Sequence, residues 1–191
     1  MDPKKLLEIL HISEKLKDVT RHAYTSGGRH ESVAEHSWRI CLMAFLLRDE
    51  FPDLDMHKVV DMCMIHDLGE IFTGDIPTFL KTEADTAAEE SALDRWISGL
   101  PQPCSDTMKS LYAEMDALET PEARLYKALD KLEAVIQHNE SPIGTWEPLE
   151  YDLNRRYAYD AVAFSPCLCK LREAIREETE EKIIREGGKD L

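Results

Sequence analysis

The sequence predicts an all-α protein, and three observations carry that prediction. Apolar residues recur at helical spacing in successive segments. Helix-start signals stand at the heads of several of those segments. No stretch alternates apolar and polar residues over the length that a half-buried strand needs. No internal repeat is visible, and 191 residues are read as one domain, 1–191, large enough for a sizeable core.

Residues 3 to 18 carry Leu6, Leu7, Leu10, Ile12 and Leu16 at near-helical intervals and predict the first helix. Residues 21 to 30, polar and glycine-containing, read as a connecting loop. Ser32-Val33-Ala34-Glu35 matches a capping box, in which the hydroxyl and the carboxylate satisfy backbone donors at a helix start. The helix it opens turns Val33, Ile40, Met43, Ala44 and Leu47 to one face, with His36 in its first turns on the core side. An acidic, proline-containing loop (50 to 55) leads to a third helix, 56 to 72, ended by the turn chemistry of Asp75-Ile76-Pro77-Thr78. A helix over 83 to 98 is stopped by Gly99 and Pro101, and 105 to 118 form another. Thr120-Pro121-Glu122 supplies an N-cap hydroxyl, a proline at the first helical position and an acid in the first turn. The helix that follows stacks Leu125, Ala128, Leu129, Leu132, Val135 and Ile136, with Asp130 at the flank of the stripe. Residues 138 to 166 hold aromatics (Trp146, Tyr151, Tyr157, Tyr159) without a period and are expected to be irregular, their rings serving as packing or, for one of them, stacking on a nucleobase, in a segment that could line or cover a pocket. A final helix runs from Cys167 to about Arg185, with Leu171, Ile175, Ile183 and Ile184 inward, Glu177 to Glu181 on a solvated face, and Gly187-Gly188 closing it.

The formal net charge of −15 repels phosphate backbones and anionic lipid, so neither a nucleic-acid polymer nor a membrane is expected as partner. No apolar run approaches the roughly 18 residues of a membrane span, and the N-terminus lacks an apolar signal core. Five cysteines without a CxxC pair suit a reducing compartment, and a cytoplasmic location is expected.

The stretch with chemistry in it is 62 to 79. An apolar run, Met62 to Ile65, delivers His66 and Asp67 side by side, and Glu70 follows. An imidazole and a carboxylate in an apolar setting are costly unless paired, and a metal ion would pair both. With His36 and Asp130, also beside apolar helical faces, they make a mixed nitrogen–oxygen ligand set suited to Mn, Fe, Co, Zn or Mg. Glu70, within reach on a helix, could then take a proton from water. The plainer readings stay open: His36 as a hydrogen-bonded structural histidine, Asp130 paired with Lys127 or Lys131, Glu70 as a solvated carboxylate and Asp75 as a turn former. His11, His30, His57 and His138 stand in polar contexts and are read as bystanders.

His36, then the pair at 66 and 67, then Asp130 resembles the H…HD…D signature of the HD-domain metal-dependent phosphohydrolases. The words SVAEHS, HDLGEIFTGDIPT and EARLYKALDKLEAVIQ are similar to the branch that contains the HD-domain 5′-deoxynucleotidases, over about residues 15 to 140. The resemblance implies a helical bundle, one divalent metal held by His36, His66, Asp67 and Asp130, and a homodimer. It implies Glu70 in activating the attacking water and Asp75 in orienting water or protonating the leaving oxygen. It implies Arg21 as the phosphate-binding arginine, with Lys81 a further phosphate candidate by position. The expected substrate is a small phosphorylated molecule, a nucleoside 5′-monophosphate. The alternatives are another small phosphate ester such as a phosphosugar, a nucleotide-binding regulator without turnover, and a structural helical module. His22 stands where the bacterial members carry a tryptophan that excludes a ribose 2′-hydroxyl, so the sugar preference stays open.

Overall fold

The structure, a computed structural model, describes residues 1–187. Helix α7 (Pro121–Glu140) is the element around which the others pack. Its start is the one the sequence announces: the Thr120 hydroxyl accepts from the Ala123 amide, and Pro121 needs no partner in the first turn. Leu125, Ala128, Leu129 and Leu132 along it are fully buried, each leucine contributing about 2 kcal/mol by burial. Helices α2 (Val33–Leu47) and α3 (Met56–Ile65) pack on α7 and on each other, enclosing Ile40, Ala44, Val59, Met62 and Cys63.

The remaining elements complete the shell. Helix α1 (Pro3–Ser13) buries no residue, and Leu6, Leu7 and Leu10 of the predicted apolar face stay exposed. The helix expected to reach residue 18 ends at Ser13 in a 3₁₀ turn, where Leu16 alone enters the core. Helices α5 (Glu83–Ser98) and α6 (Cys104–Ala117) match their expected spans closely, and α5 joins Leu93 and Ile97 to a second apolar cluster with Leu16, Val33, Leu68 and Ile71. Helix α10 (Pro166–Glu186) lies along α7. Ile175 and Ile183 face inward on it, but Ile184, expected inward, is exposed; Gly188 lies outside the described residues.

Three expectations are corrected. Residues 21 to 30 are not a simple loop: β1 (Thr20–Tyr24) and β2 (His30–Ser32) form an antiparallel hairpin whose turn needs Gly28 at φ +84°. Strands of five and three residues are too short to show alternation. The third helix does not reach 72. The Tyr112 hydroxyl on α6 donates to the Ile65 carbonyl, and His66–Gly69 follow in tight turns before the single-turn α4 (Glu70–Thr73). That break is set by a side chain 47 residues away and is invisible to local periodicity. Finally, 138 to 166 is mostly helical: α7 continues to Glu140, and α8 (Pro148–Arg156) and α9 (Tyr159–Val162) follow. No helix among the described residues is long and apolar enough to cross a membrane.

Candidate metal centre and pocket

The three central helices each bring one part of the cluster. The capping box is present as expected, with the Ser32 hydroxyl accepting from the Glu35 amide and the Glu35 carboxylate accepting from the Ser32 amide. It starts α2 so that His36 lies in its first turn, fully buried. The end of α3 supplies His66 and Asp67, and the middle of α7 supplies Asp130. His36 Nε2 stands 3.3 Å from Asp130 Oδ1 and 3.8 Å from Asp67 Oδ2, and His66 Nε2 stands 3.0 Å from Asp67 Oδ2 and 3.8 Å from Asp130 Oδ1. Ligands about 2.1 Å from one ion lie roughly 3 to 3.5 Å apart as neighbours, so the spacing fits a shared ion.

The tautomers are set for the same purpose. His66 Nδ1–H donates to the Cys63 carbonyl at 2.9 Å, and His36 Nδ1–H donates to the buried Glu133 carboxylate. Each ring therefore turns its Nε2 toward the carboxylates, and both Nε2 atoms are buried with no hydrogen-bond partner among the described residues. Two orphaned imidazole nitrogens facing two carboxylates are what a divalent ion would satisfy. Glu133 is itself gripped by Arg39 Nε at 2.9 Å. Glu31, Glu133 and His36 Nδ1 also gather closely, but Arg21 Nε pairs with Glu31 at 3.3 Å and Arg39 with Glu133, so guanidinium groups already compensate that second group of carboxylates.

Asp67 and Asp130 of the cluster line a cavity of about 360 Å³, with the two imidazoles behind them. Glu70, expected within reach of His66 and Asp67, lines it from α4, nearly buried, and its Oε2 has no partner among the described residues. Burial and the nearby Asp67 and Asp75 carboxylates push the Glu70 carboxyl up to about 10. Gly69 precedes it without a side chain because a Cβ there would come within 2.7 Å of Glu89 Cγ on α5. Gly74, at φ +79°, then turns the chain so that Asp75 lines the same cavity, its carboxyl raised by burial. Burial opposes the charge on Asp67, but His66 and His36 prevail and hold its carboxyl well below the usual range.

Arg21, at the hairpin, reaches the cavity with Nη1 3.6 Å from Asp67; burial opposes its charge, and Asp67, Glu133, Asp75 and Asp130 outweigh that and raise its pKa. Lys81 also lines the cavity, though its ammonium is 2.7 Å from Glu89. Asp130 does pair with Lys127, at 2.7 Å, through Oδ2, while Oδ1 faces the imidazoles, so the plain reading and the ligand reading hold together. Lys127 and Lys131 line the cavity from α7; the sequence reading named them only as pairing partners of Asp130. His138, read as a bystander, lines the cavity as well, because α7 extends past the expected end of its stripe. Glu150, Asn154 and Tyr157 reach the cavity from α8, in the segment expected to be irregular.

The profile of the HD domain family matches residues 13–171. The chain belongs to the HD domain family. Among its relatives, the 5′-deoxynucleotidase HDDC2 of Homo sapiens is 29% identical over 165 residues, which cover 84% of this chain and 78% of that one. The HDDC2 of Danio rerio, also named a 5′-deoxynucleotidase, is 30% identical over 139 residues, covering 71% and 68%. In structure the chain is similar to a protein of Magnetospirillum magnetotacticum MS-1 described as a predicted metal-dependent phosphohydrolase. The TM-score is 0.79 at 28% identity, over 94% of this chain and 93% of that one. The helical bundle of the HD domain family is thus the fold of this protein, as its sequence predicts, with the small hairpin added.

Proposed function

We infer that the protein is a metal-dependent phosphomonoester hydrolase that releases phosphate from a nucleoside 5′-monophosphate. The observation that carries this reading is the convergence of His36 Nε2 and His66 Nε2 on Asp67 and Asp130, two carboxylates that line a cavity together with Glu70, whose Oε2 has no partner among the described residues, and the cation Arg21. The names of the 5′-deoxynucleotidase relatives support the substrate class. The four residues would hold one divalent ion, and two imidazoles with two carboxylates accept Mn, Co, Fe, Zn or Mg. Such an ion acidifies a water in its shell and polarises a phosphoryl oxygen.

The chain's own groups do the rest. Arg21 neutralises phosphate charge, with Lys127 and Lys81 as nearby cations. Glu70 orients the attacking water and takes its proton; compensation of Asp67 by a cation removes part of the repulsion that keeps the Glu70 carboxyl protonated. Asp75, whose carboxyl is raised by burial, gives a proton to the departing 5′-oxygen. Catalysis of this kind is positioning and electrostatics. The reading includes a cytoplasmic homodimer, which light scattering tests.

The deciding experiment is phosphate release from ribo- and deoxyribonucleoside 5′-monophosphates by EDTA-stripped protein resupplied with Mn, Co, Mg or Zn. Metal-dependent release that Glu70→Gln lowers by roughly a hundredfold or more is expected. Nucleotide binding without release by metal-loaded protein would overturn the hydrolase and favour a regulator.

A further inference from the structure

One wall of the cavity is built from two helices. On α7, Lys127, Asp130, Lys131, Ala134 and His138 face the cavity, and eight residues of helix from Asp130 to His138 span about 12 Å. On α8, the face turned to the cavity is Glu150, Leu153 and Asn154, at the i, i+3, i+4 spacing of one helical stripe, and Tyr157, the residue that caps the helix, continues it. Glu150, almost fully buried, accepts from the Glu147 amide through Oε2 at 2.7 Å. Its Oε1 stands 3.2 Å from His22 Nε2 and 3.5 Å from His138 Nε2. Phe79 stands edge-on to His22, with ring centroids 5.8 Å apart, and also lines the cavity.

Among these groups His22 Nε2, His138 Nδ1 and Asn154 Nδ2 lack a hydrogen-bond partner among the described residues, and Asn154 is the one that offers a donor and an acceptor together. It is 3% exposed, and its Nδ2 has no hydrogen-bond partner among the described residues. A buried amide donor left unpaired costs free energy, so the residue is unexplained as a packing element. Its position is held from behind. The guanidinium of Arg172, wholly buried on α10, donates from Nη2 to the Asn154 carbonyl at 2.6 Å and from Nε to the Tyr157 carbonyl at 2.7 Å. The last turn of α8 is thus fixed against the core while its carboxamide is left for the cavity.

The geometry points to Asn154 as a nucleobase-reading residue, with Leu153, Tyr157 and Phe79 as the apolar walls of the base subsite. This rests on the nucleotidase reading and names what it selects: a phosphate ester that carries a base rather than a bare sugar phosphate. Tyr157 stands against Lys131, the ammonium 5.5 Å from the ring centroid, and Glu150 stands against His138, so a phosphate placed at the Asp130 end leaves the base beside Asn154, between Tyr157 and the His22, His138 and Glu150 group. A carboxamide offers a donor and an acceptor side by side, which matches the adjacent acceptor and donor on a base edge. Because the amide reads either order by turning over, the subsite demands a base while tolerating several.

The test compares a nucleoside 5′-monophosphate with 2-deoxyribose 5-phosphate, which has the sugar and the phosphate but no base, in metal-loaded wild type and in Asn154→Leu, a replacement of similar size. Wild type is expected to prefer the nucleotide. In Asn154→Leu the ratio of the two kcat/KM values is expected to fall about tenfold, chiefly through KM of the nucleotide, the worth of one or two neutral hydrogen bonds. Asn154→Gln, which keeps the amide, is expected to recover part of the ratio. A ratio unchanged in a folded variant that hydrolyses nucleotides would overturn the base subsite and leave the nucleotidase standing. Wild type that releases phosphate from no nucleotide would overturn both. Melting curves of each variant separate loss of the fold from loss of recognition; should Asn154→Leu fail to fold, Asn154→Ala carries the same comparison.

Discussion

Glu133 is fully buried in the core of an acidic protein, and its two oxygens are committed to His36 Nδ1 and Arg39 Nε. A carboxylate behind a ligating imidazole fixes the ring and raises its basicity. Glu133→Gln keeps the volume and removes the charge. Calorimetric titration of metal-stripped protein with Mn²⁺ should therefore show affinity lower by roughly 10- to 100-fold. Equal affinity would mean that packing alone orients His36. The sequence offered a signal for this residue, a glutamate three positions after Asp130 in a helical stripe otherwise apolar, but which histidine it serves depends on how α2 lies across α7.

At the scale of elements, the joint between the hairpin and α2 aims both Arg21 and His36. Arg29 Nη1 and Nη2 hold the Glu35 carboxylate at 2.8 and 2.5 Å, and with the Ser32 amide they bring its pKa down to about 2 from 4.5. A depressed carboxyl stabilises the fold above its unfolded pKa, and the contribution is lost as the pH falls through the folded value. Urea unfolding should accordingly show Glu35→Ala less stable than wild type at pH 7, with the gap narrowing as the pH falls from 4.5 toward 2. A gap independent of pH would assign the loss to packing. The capping box, the α7 start and the helical faces that carry His36 and Asp130 were legible in the sequence because each is a local pattern of a few residues. The hairpin was not, because its strands are too short for alternation. The break at His66 was not, because Tyr112 makes it from another helix. Helix α8 was not, because its start, Pro148 behind Glu147, lies in a stretch where aromatic residues mask the period.

Taken whole, the molecule gathers His36, His66, Asp67 and Asp130 from α2, α7 and the turns that follow α3, the helices that enclose its main core, so the cluster and the fold share one stability. An ion bound at a hundred times its dissociation constant would add about 2.7 kcal/mol. For a domain of this size that is a rise in Tm of roughly 5 to 10 °C. Differential scanning fluorimetry with and without EDTA should show that rise, and His36→Ala should abolish it. A Tm indifferent to metal in wild type would deny the site. Helix α7 carries one further consequence. Asp130 and His138 are related by helical phase as much as by distance, and one residue inserted between them would swing everything beyond by about 100°. An insertion or deletion between Asp130 and His138 would therefore carry His138 away from the cavity, whereas a change of length in a surface loop would leave both residues in phase.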